Sequence, residues 1–311
     1  MSQGKATRDG FGEGLVELGK TNPAVVALSA DLADSTRAEW FQKEFPDRFI
    51  EAGIAEQNMV GIAAGLSLVG KIPFASSFGS FLLRPYDHIR VTICYGNLNV
   101  KLVATHCGIS TGEDGASAQM MEDIAAMRAL PGMTVIVPCD AGQAKQATIA
   151  LASQIGPAYL RLGRAASPVV IAEGQSFEIG KAQILKQGKD VGIIACGMMV
   201  AQALEAASIL EKEGVVATVV NIHTIKPIDR DAIIDVAKKT GAIVTAEEHQ
   251  INGGLGSAVA EVLSQLCPVP IAMVAMPDSF GESGKSEELL KKYHLTADDI
   301  VIAVRSVMRK K

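Results

Sequence analysis

Glu56 stands in EAGIAEQNMVGIAAGL (51–66), an acid at the head of an apolar stretch, with Ile54, Ala55, Met59 and Val60 around it. A carboxyl there suits the positive end of a helix. Partly shielded from water, it is also an acid able to hydrogen-bond a heterocyclic ring and exchange protons with it. Phe78 and Phe81 follow in FASSFGSFLLRPYDHIR (74–90), three apart around Gly79 and Ser80. Aromatics so spaced serve a core, or a flat wall on which a ring stacks. In ATHCGISTGEDGASAQ (104–119), His106 ends an apolar run and a glycine-rich loop with Glu113 and Asp114 follows. That loop reads as a surface turn built on Gly112 and Gly115, or as a place where carboxylates accept hydrogen bonds from sugar hydroxyls. SADLADSTRAEW (29–40) sets Thr36 and Glu39 at capping-box spacing, and Ser35 beside that helix start offers a hydroxyl to a phosphate. Arg8 and Arg164 are isolated arginines near element ends, read either as solvated charges or as bidentate phosphate ligands.

These residues need a scaffold, and the spacing of apolar residues supplies one. Runs rich in β-branched residues at 25–30, 99–106 and 133–138 predict strands. Helix-period stretches at 55–70, 120–130 and 141–154 alternate with them. The pattern pauses at AASPVVIAEGQSFEIGKAQI (165–184), where Ser, Pro and Gly break it. A second series follows, with strands at 191–197, 215–223 and 241–248 and helices at 199–214, 229–239 and 254–266. The chain therefore reads as α/β, two tandem domains, each a mostly parallel sheet flanked by helices. In such sheets ligands sit outside the carboxyl ends of the strands. Ser29 to Ser35, Glu51 to Glu56, Ser77 to Phe81, His106 to Asp114 and Arg161 to Arg164 all follow strands or close them. GGLG at 253–256 lacks the spacing of a dinucleotide fingerprint and reads as a structural turn into a helix.

Composition narrows the function classes. With 311 residues, 48% of them hydrophobic, there is material for two cores. A net charge of -5 without any Lys/Arg-rich run argues against nucleic acid and membrane surfaces as partners. No long uninterrupted apolar stretch suggests a membrane span, and the start MSQGKATRDG lacks the apolar core of a secretory signal. Cys94, Cys107, Cys139, Cys196 and Cys267 are scattered without a C-x-x-C pair. That favours a reducing cytoplasm over a disulfide framework, and no metal site is expected on this chain.

SADLADS, GIAEQNMVGIAAGL, SSFGSFLLRPYDHIR, THCGISTGEDG, LRLGR and IKPIDR occur in the order found in transketolases. Over essentially its whole length the chain resembles the pyrimidine-binding and C-terminal domains of that family. The resemblance implies a thiamine-diphosphate-binding fold over 1–168, a linker over 169–184 and a transketolase C-terminal-like domain over 185–311. The family's third domain binds diphosphate and a divalent metal through a Gly-Asp-Gly…Asn motif, which this chain lacks; its GEDG lies in another context. The chain thus looks like the C-terminal subunit of a split transketolase, active only with an N-terminal subunit in an α2β2 heterotetramer. That partner would hold magnesium or calcium. The implied reaction moves a two-carbon ketol unit from a ketose phosphate to an aldose phosphate, as in the pentose phosphate pathway.

By the same resemblance Glu56 matches the glutamate that activates the aminopyrimidine of thiamine diphosphate. Phe81 matches the aromatic stacked on that ring, and Phe78 lines the same pocket. Asp114 matches the acid that contacts a donor hydroxyl, and Arg8, Ser35, His106 and Arg164 match positions that hold the substrate phosphate. One departure is Ala118, where many transketolases carry a substrate-contacting histidine or a glutamine; Gln119 is adjacent. Two relatives of similar design are alternatives: the β subunit of a 2-oxoacid dehydrogenase, and the C-terminal part of a deoxyxylulose-phosphate synthase. The first is not expected to carry THCGIS followed by GEDG or the full phosphate-holding set, and the second shares IAEQ and the G-x-D-G loop but normally comes as one long chain.

Overall fold

In the computed structural model, which describes residues 4–172 and 174–311, the apolar runs of the first half lie side by side. They are Val25–Ser29 (β1), Phe49–Glu51 (β2), Ile72–Phe78 (β3), Lys101–Thr105 (β4), Thr134–Ile136 (β5) and Ala158–Arg161 (β6). Every pairing among these six is parallel. β1 and β4 are buried along their whole length, so both faces of the sheet must be covered. Val25 and Ala27 pack with helices Thr7–Thr21 and Ala141–Ser153 through Phe11, Leu15, Ala144 and Leu151. Val26 and Leu28 point the other way, to Met59, Val60 and Ala63 of helix Glu56–Leu68. The first two helices approach closely because glycines face the contact. A Cβ on Gly10 would lie 2.0 Å from the Ala141 carbonyl oxygen, which no other residue tolerates.

The second half supplies Gln183–Lys186 (β7), Val191–Ala195 (β8), Ala217–Asn221 (β9), Thr224–Lys226 (β10), Ile243–Gln250 (β11) and Ile271–Met276 (β12). Five of these form a second sheet in the order β12-β11-β8-β9-β7, parallel except for β7 against β9. β7 begins at Gln183, within the segment expected to be linker. β10 crosses over. It adds antiparallel to β5 and completes a first sheet ordered β10-β5-β6-β4-β3-β1-β2. The architecture is two α/β domains with mostly parallel sheets flanked by helices, as the periodicity predicts. One apolar cluster runs through both, from Met59, Leu102 and Ile124 to Val220, Leu255 and Val259. Among the described residues no helix is long and apolar enough to cross a membrane.

Two local details of the sequence reading meet the structure. The capping box of Thr36 and Glu39 does not form. The Thr36 hydroxyl is buried, donates to the Leu32 carbonyl at 3.0 Å and lies 3.2 Å from the Ser76 hydroxyl, so it is not free to cap. Ser35 instead sits inside the four-residue helix Ala33–Thr36, and helix Ala38–Glu44 starts after Arg37, whose φ is 72°. GGLG does lead into a helix, Leu255–Leu266. Its first amides are taken by Glu247, whose carboxylate accepts from Leu255 N–H at 2.6 Å and Gly256 N–H at 2.8 Å.

One buried ion pair joins the halves. Asp123 is fully buried and accepts from Arg161 Nε at 2.9 Å and from the Tyr159 hydroxyl at 2.8 Å. Burial opposes the charge on Arg161, but Asp123 together with Cys107, Glu248 and Tyr159 outweighs it and holds the guanidinium more firmly protonated than usual. Arg161 Nη2 also donates to the Met120 carbonyl at 3.1 Å and across the domain boundary to the Glu248 carbonyl at 2.9 Å. Asp123→Ala would strand that charge and is expected to lower the unfolding free energy by about 3–5 kcal/mol, read as a lower urea midpoint. Asp123→Asn still accepts hydrogen bonds and should lose less.

Candidate functional site

The carboxyl ends of β1, β3, β4 and β6 bring together side chains that are remote in sequence. Arg8 comes from the first turn of helix Thr7–Thr21 and Ser35 from the short helix after β1. Phe78 ends β3, His106 follows β4, and Arg164 follows β6. Together with Asp34, Arg37 and Asp114 they line an open pocket of about 450 Å³. All four phosphate candidates read from the sequence therefore share one pocket with Asp114 and Phe78.

Three arginines and two aspartates set its electrostatics. Arg8 Nη1 donates to the Ser35 carbonyl at 2.8 Å, while its buried Nε has no partner among the described residues. Burial and the neighbouring Arg37 hold the Arg8 guanidinium below its ordinary value. Arg37 is steadied by Asp9 at 2.7 Å and by the Asp34 carbonyl at 3.0 Å. Arg164 Nη1 donates to the Thr111 carbonyl at 3.1 Å and to Glu113 at 3.2 Å, and its Nε lies 3.7 Å from Asp114. His106 is buried, and its Nε2 stands 3.8 Å from Asp114. Its pKa is pushed down to about 3 by burial first, then by Arg8, Arg164 and Arg37. The imidazole is therefore neutral at physiological pH, a hydrogen-bonding group among cations.

A flat row leads away from this pocket. The His106 ring lies on Phe78 with centroids 3.7 Å apart, and Phe78 stacks on Phe81 at 5.4 Å and 16°. The Arg84 guanidinium covers the next face of this row, 4.4 Å from the centre of the Phe81 ring. Arg84 Nη1 then reaches both oxygens of Glu56, at 3.0 and 3.3 Å. Glu56 is the first residue of helix Glu56–Leu68 and is only 3% exposed. Glu56 and Phe81 thus lie at the far end of the row from the arginine pocket.

The loop carrying His106 and Asp114 is clamped by the second domain. Gly108 has φ 94°, and a Cβ there would strike the Glu248 carboxylate at 2.3 Å. That carboxylate accepts a hydrogen bond from the Ser110 amide, and burial holds its pKa above the usual carboxylate range. Gln119, beside the divergent Ala118, is committed to the same job. Its amide donates to the carbonyls of Gly112 at 2.9 Å and Glu282 at 2.8 Å.

Sequence reasoning missed Arg37, Asp34 and Arg84. Arg37 and Asp34 flank Ser35 inside a quoted segment, but neither has a pattern of its own. Arg84 lies three residues after Phe81, a spacing that puts both on one helical face and was a usable signal.

Residues 3–169 match the transketolase pyrimidine binding domain, and residues 180–300 match the transketolase C-terminal domain. The chain is 48% identical over 310 residues to a Methanocaldococcus jannaschii protein named "Putative transketolase C-terminal section", covering 98% of this chain and 97% of that one. It is 43% identical over 305 residues to the 6-deoxy-6-sulfo-D-fructose transketolase subunit of a Clostridium species, with 98% and 95% covered. A solved structure described as a split gene transketolase in an inactive beta4 tetramer is similar with a TM-score of 0.93. It has 52% sequence identity, with 98% of this chain and 99% of that chain covered.

The environment of His106 has a measurable consequence. Its folded pKa lies below the ordinary 6.5, so between about 3 and 6.5 the unfolded chain binds more protons than the folded one. Stability attributable to this residue should therefore fall as pH drops through that window. Ring-proton NMR should show His106 untitrated down to about pH 4, and a midpoint near 6.5 would refute the neutral assignment.

Proposed function

The chain belongs to the transketolase family, and from that premise we propose that it works as the C-terminal subunit of a split thiamine diphosphate-dependent transketolase. One observation carries this reading. A single row of contacts joins a buried acid, two stacked phenylalanines and a histidine to a pocket lined by three arginines.

The acid end of the row fits an aminopyrimidine. The space against Phe81 and Glu56 accepts a flat, nitrogen-bearing plate, since the Arg84 guanidinium lies there. Phe81 would support the ring and Phe78 would line the pocket behind it. Glu56 would share a proton with the ring nitrogen facing it and so shift the exocyclic amine towards its imino form. Bound thiamine diphosphate would supply the carbanion chemistry of two-carbon transfer. Its diphosphate, with magnesium or calcium, would be held by an N-terminal subunit in an α2β2 assembly, because neither matched domain is the diphosphate-binding one.

The arginine end fits the distal anion of a sugar. Arg8 and Arg164 offer bidentate contacts and the unpaired Arg8 Nε a further donor. Ser35 and His106 supply uncharged hydrogen bonds beside them, and Asp114 would accept from a hydroxyl of the donor sugar. This supports a ketose phosphate as donor and an aldose phosphate as acceptor. A relative that is 43% identical is named for a sulfonated sugar, and a sulfonate is also a tetrahedral oxyanion. Parallel assays with phosphorylated and sulfonated ketoses identify the donor.

Glu56→Gln keeps the shape of the side chain and removes the acid. In the assembled complex turnover should fall by a factor on the order of 10²–10⁴, with slowed hydrogen–deuterium exchange at the thiazolium carbon. Unchanged exchange with near-normal turnover would reduce Glu56 to a helix-start carboxylate. Arg164→Ala should chiefly raise KM for phosphorylated sugars, by roughly 1.5–3 kcal/mol for the loss of a charged hydrogen bond. Full transketolase activity from this chain without a second subunit would overturn the split assignment.

A further inference from the structure

Arg84 makes, by itself, both contacts that the proposed function assigns to the aminopyrimidine ring. Its guanidinium lies over the face of Phe81 at 4.4 Å, and its Nη1 donates to both Glu56 oxygens at 3.0 and 3.3 Å. A guanidinium is planar, delocalised and edged with N–H donors, so it stacks and hydrogen-bonds much as an aminopyrimidine does. Ring and guanidinium cannot occupy the same face of Phe81 together.

We propose that Arg84 is a displaceable stand-in for the cofactor's pyrimidine ring: it fills the slot in the isolated subunit and swings out when the ring arrives. The inference rests on the reading of Glu56 and Phe81 given above. A carboxylate as buried as Glu56 is costly without a partner. Arg84 supplies that partner before assembly, and the ring's N–H edge takes over afterwards, so the acid is never left bare. The arginine is placed to leave. Its side chain is 48% exposed against 3% for Glu56, so one end of the pair already lies in solvent. Leu82 is fully buried and fixes the turn from which the arginine projects. A counter-ion meant to stay would be expected beside the slot, leaving the stacking face of Phe81 open.

The consequence is competition. A ligand that must displace an occupant has its apparent affinity reduced by the fraction of time the slot is open. The probe is 4-amino-5-hydroxymethyl-2-methylpyrimidine, titrated into the isolated chain and followed by ligand-observed NMR. Arg84→Met should bind it about tenfold more tightly than the unmodified chain. Arg84→Lys, which keeps the charge but not the plate, should fall between them and guards against misfolding of the methionine variant. Arg84→Met should also melt at a lower temperature, because Glu56 loses its partner, and the probe should restore part of that loss. The double variant Arg84→Met/Glu56→Gln should recover the melting temperature but lose the tighter binding.

Equal affinity in Arg84→Met and the unmodified chain, including no measurable binding by either, overturns the stand-in role. So does weaker binding in the variant, which would make Arg84 a ligand of the ring. If Glu56→Gln abolishes turnover in the assembled complex while Arg84→Met leaves pyrimidine affinity unchanged, only the stand-in role falls. If Glu56→Gln turns over normally, the reading beneath it falls instead.

Discussion

The structure depends on one buried guanidinium. Arg161 closes β6, and Asp123 neutralises it within the shared core. A buried charge of this kind is tolerable only when paired and fully hydrogen-bonded. Its Nη2 reaches the Met120 carbonyl, at the end of the His106 loop, and the Glu248 carbonyl, on β11 of the second domain. The strand that delivers Arg164, the loop that delivers His106 and Asp114, and the second domain are thus bound to one side chain. An apolar replacement could fill the volume but could not set this geometry.

The second domain then acts as a clamp, although no side chain of it lines the arginine pocket. Glu248 presses on Gly108 and accepts from the Ser110 amide, and the Glu282 carbonyl takes the Gln119 amide. β10 adds a third hold by extending the first sheet at β5, and Lys226 on it donates to the Arg128 carbonyl at 2.9 Å. The Glu248 and Glu282 contacts fix a loop whose glycines at 108, 112 and 115 all have positive φ and would otherwise leave it many conformations.

The sequence made the local layers of this legible and the non-local ones obscure. Alternation of β-branched runs with helix-period stretches located six strands and six helices across the two domains, because burial on two faces imposes those patterns directly, but it passed over β2, β3, β6, β7 and β12 and the helices Thr7–Thr21 and Ala297–Met308. The crossover of β10 left no such mark. A three-residue strand on a distant edge is chosen by register and packing rather than by its own propensity. The capping box failed for a similar reason, since the hydroxyl of Thr36 was claimed by burial against Ser76. In the site, residues on recognisable motifs were readable. Arg37 was not, because its role follows from a left-handed backbone between two short helices that nothing in its neighbours announces.

The site also divides by how firmly it is held. At the arginine end Arg8, Arg37 and Arg164 are tied to backbone carbonyls, so the pocket is set before any ligand arrives. At the acid end the partner of Glu56 is a half-exposed arginine, and the helix behind it faces outward. Gly61 and Gly65 lie on that helix with nothing within 4 Å of where a Cβ would stand. Each is less favourable than alanine there by about 1 kcal/mol, and no contact within the chain requires them. Ile54, Leu68 and Val69 flank them at 77%, 73% and 73% exposure. Bare backbone bordered by apolar side chains is a surface another polypeptide can approach closely. The helix that starts with Glu56 would then present its acid to the cofactor slot on one side and its backbone to a neighbouring subunit on the other. In the proposed complex, docking of that subunit and replacement of Arg84 beside Glu56 would then act on the same helix from its two sides.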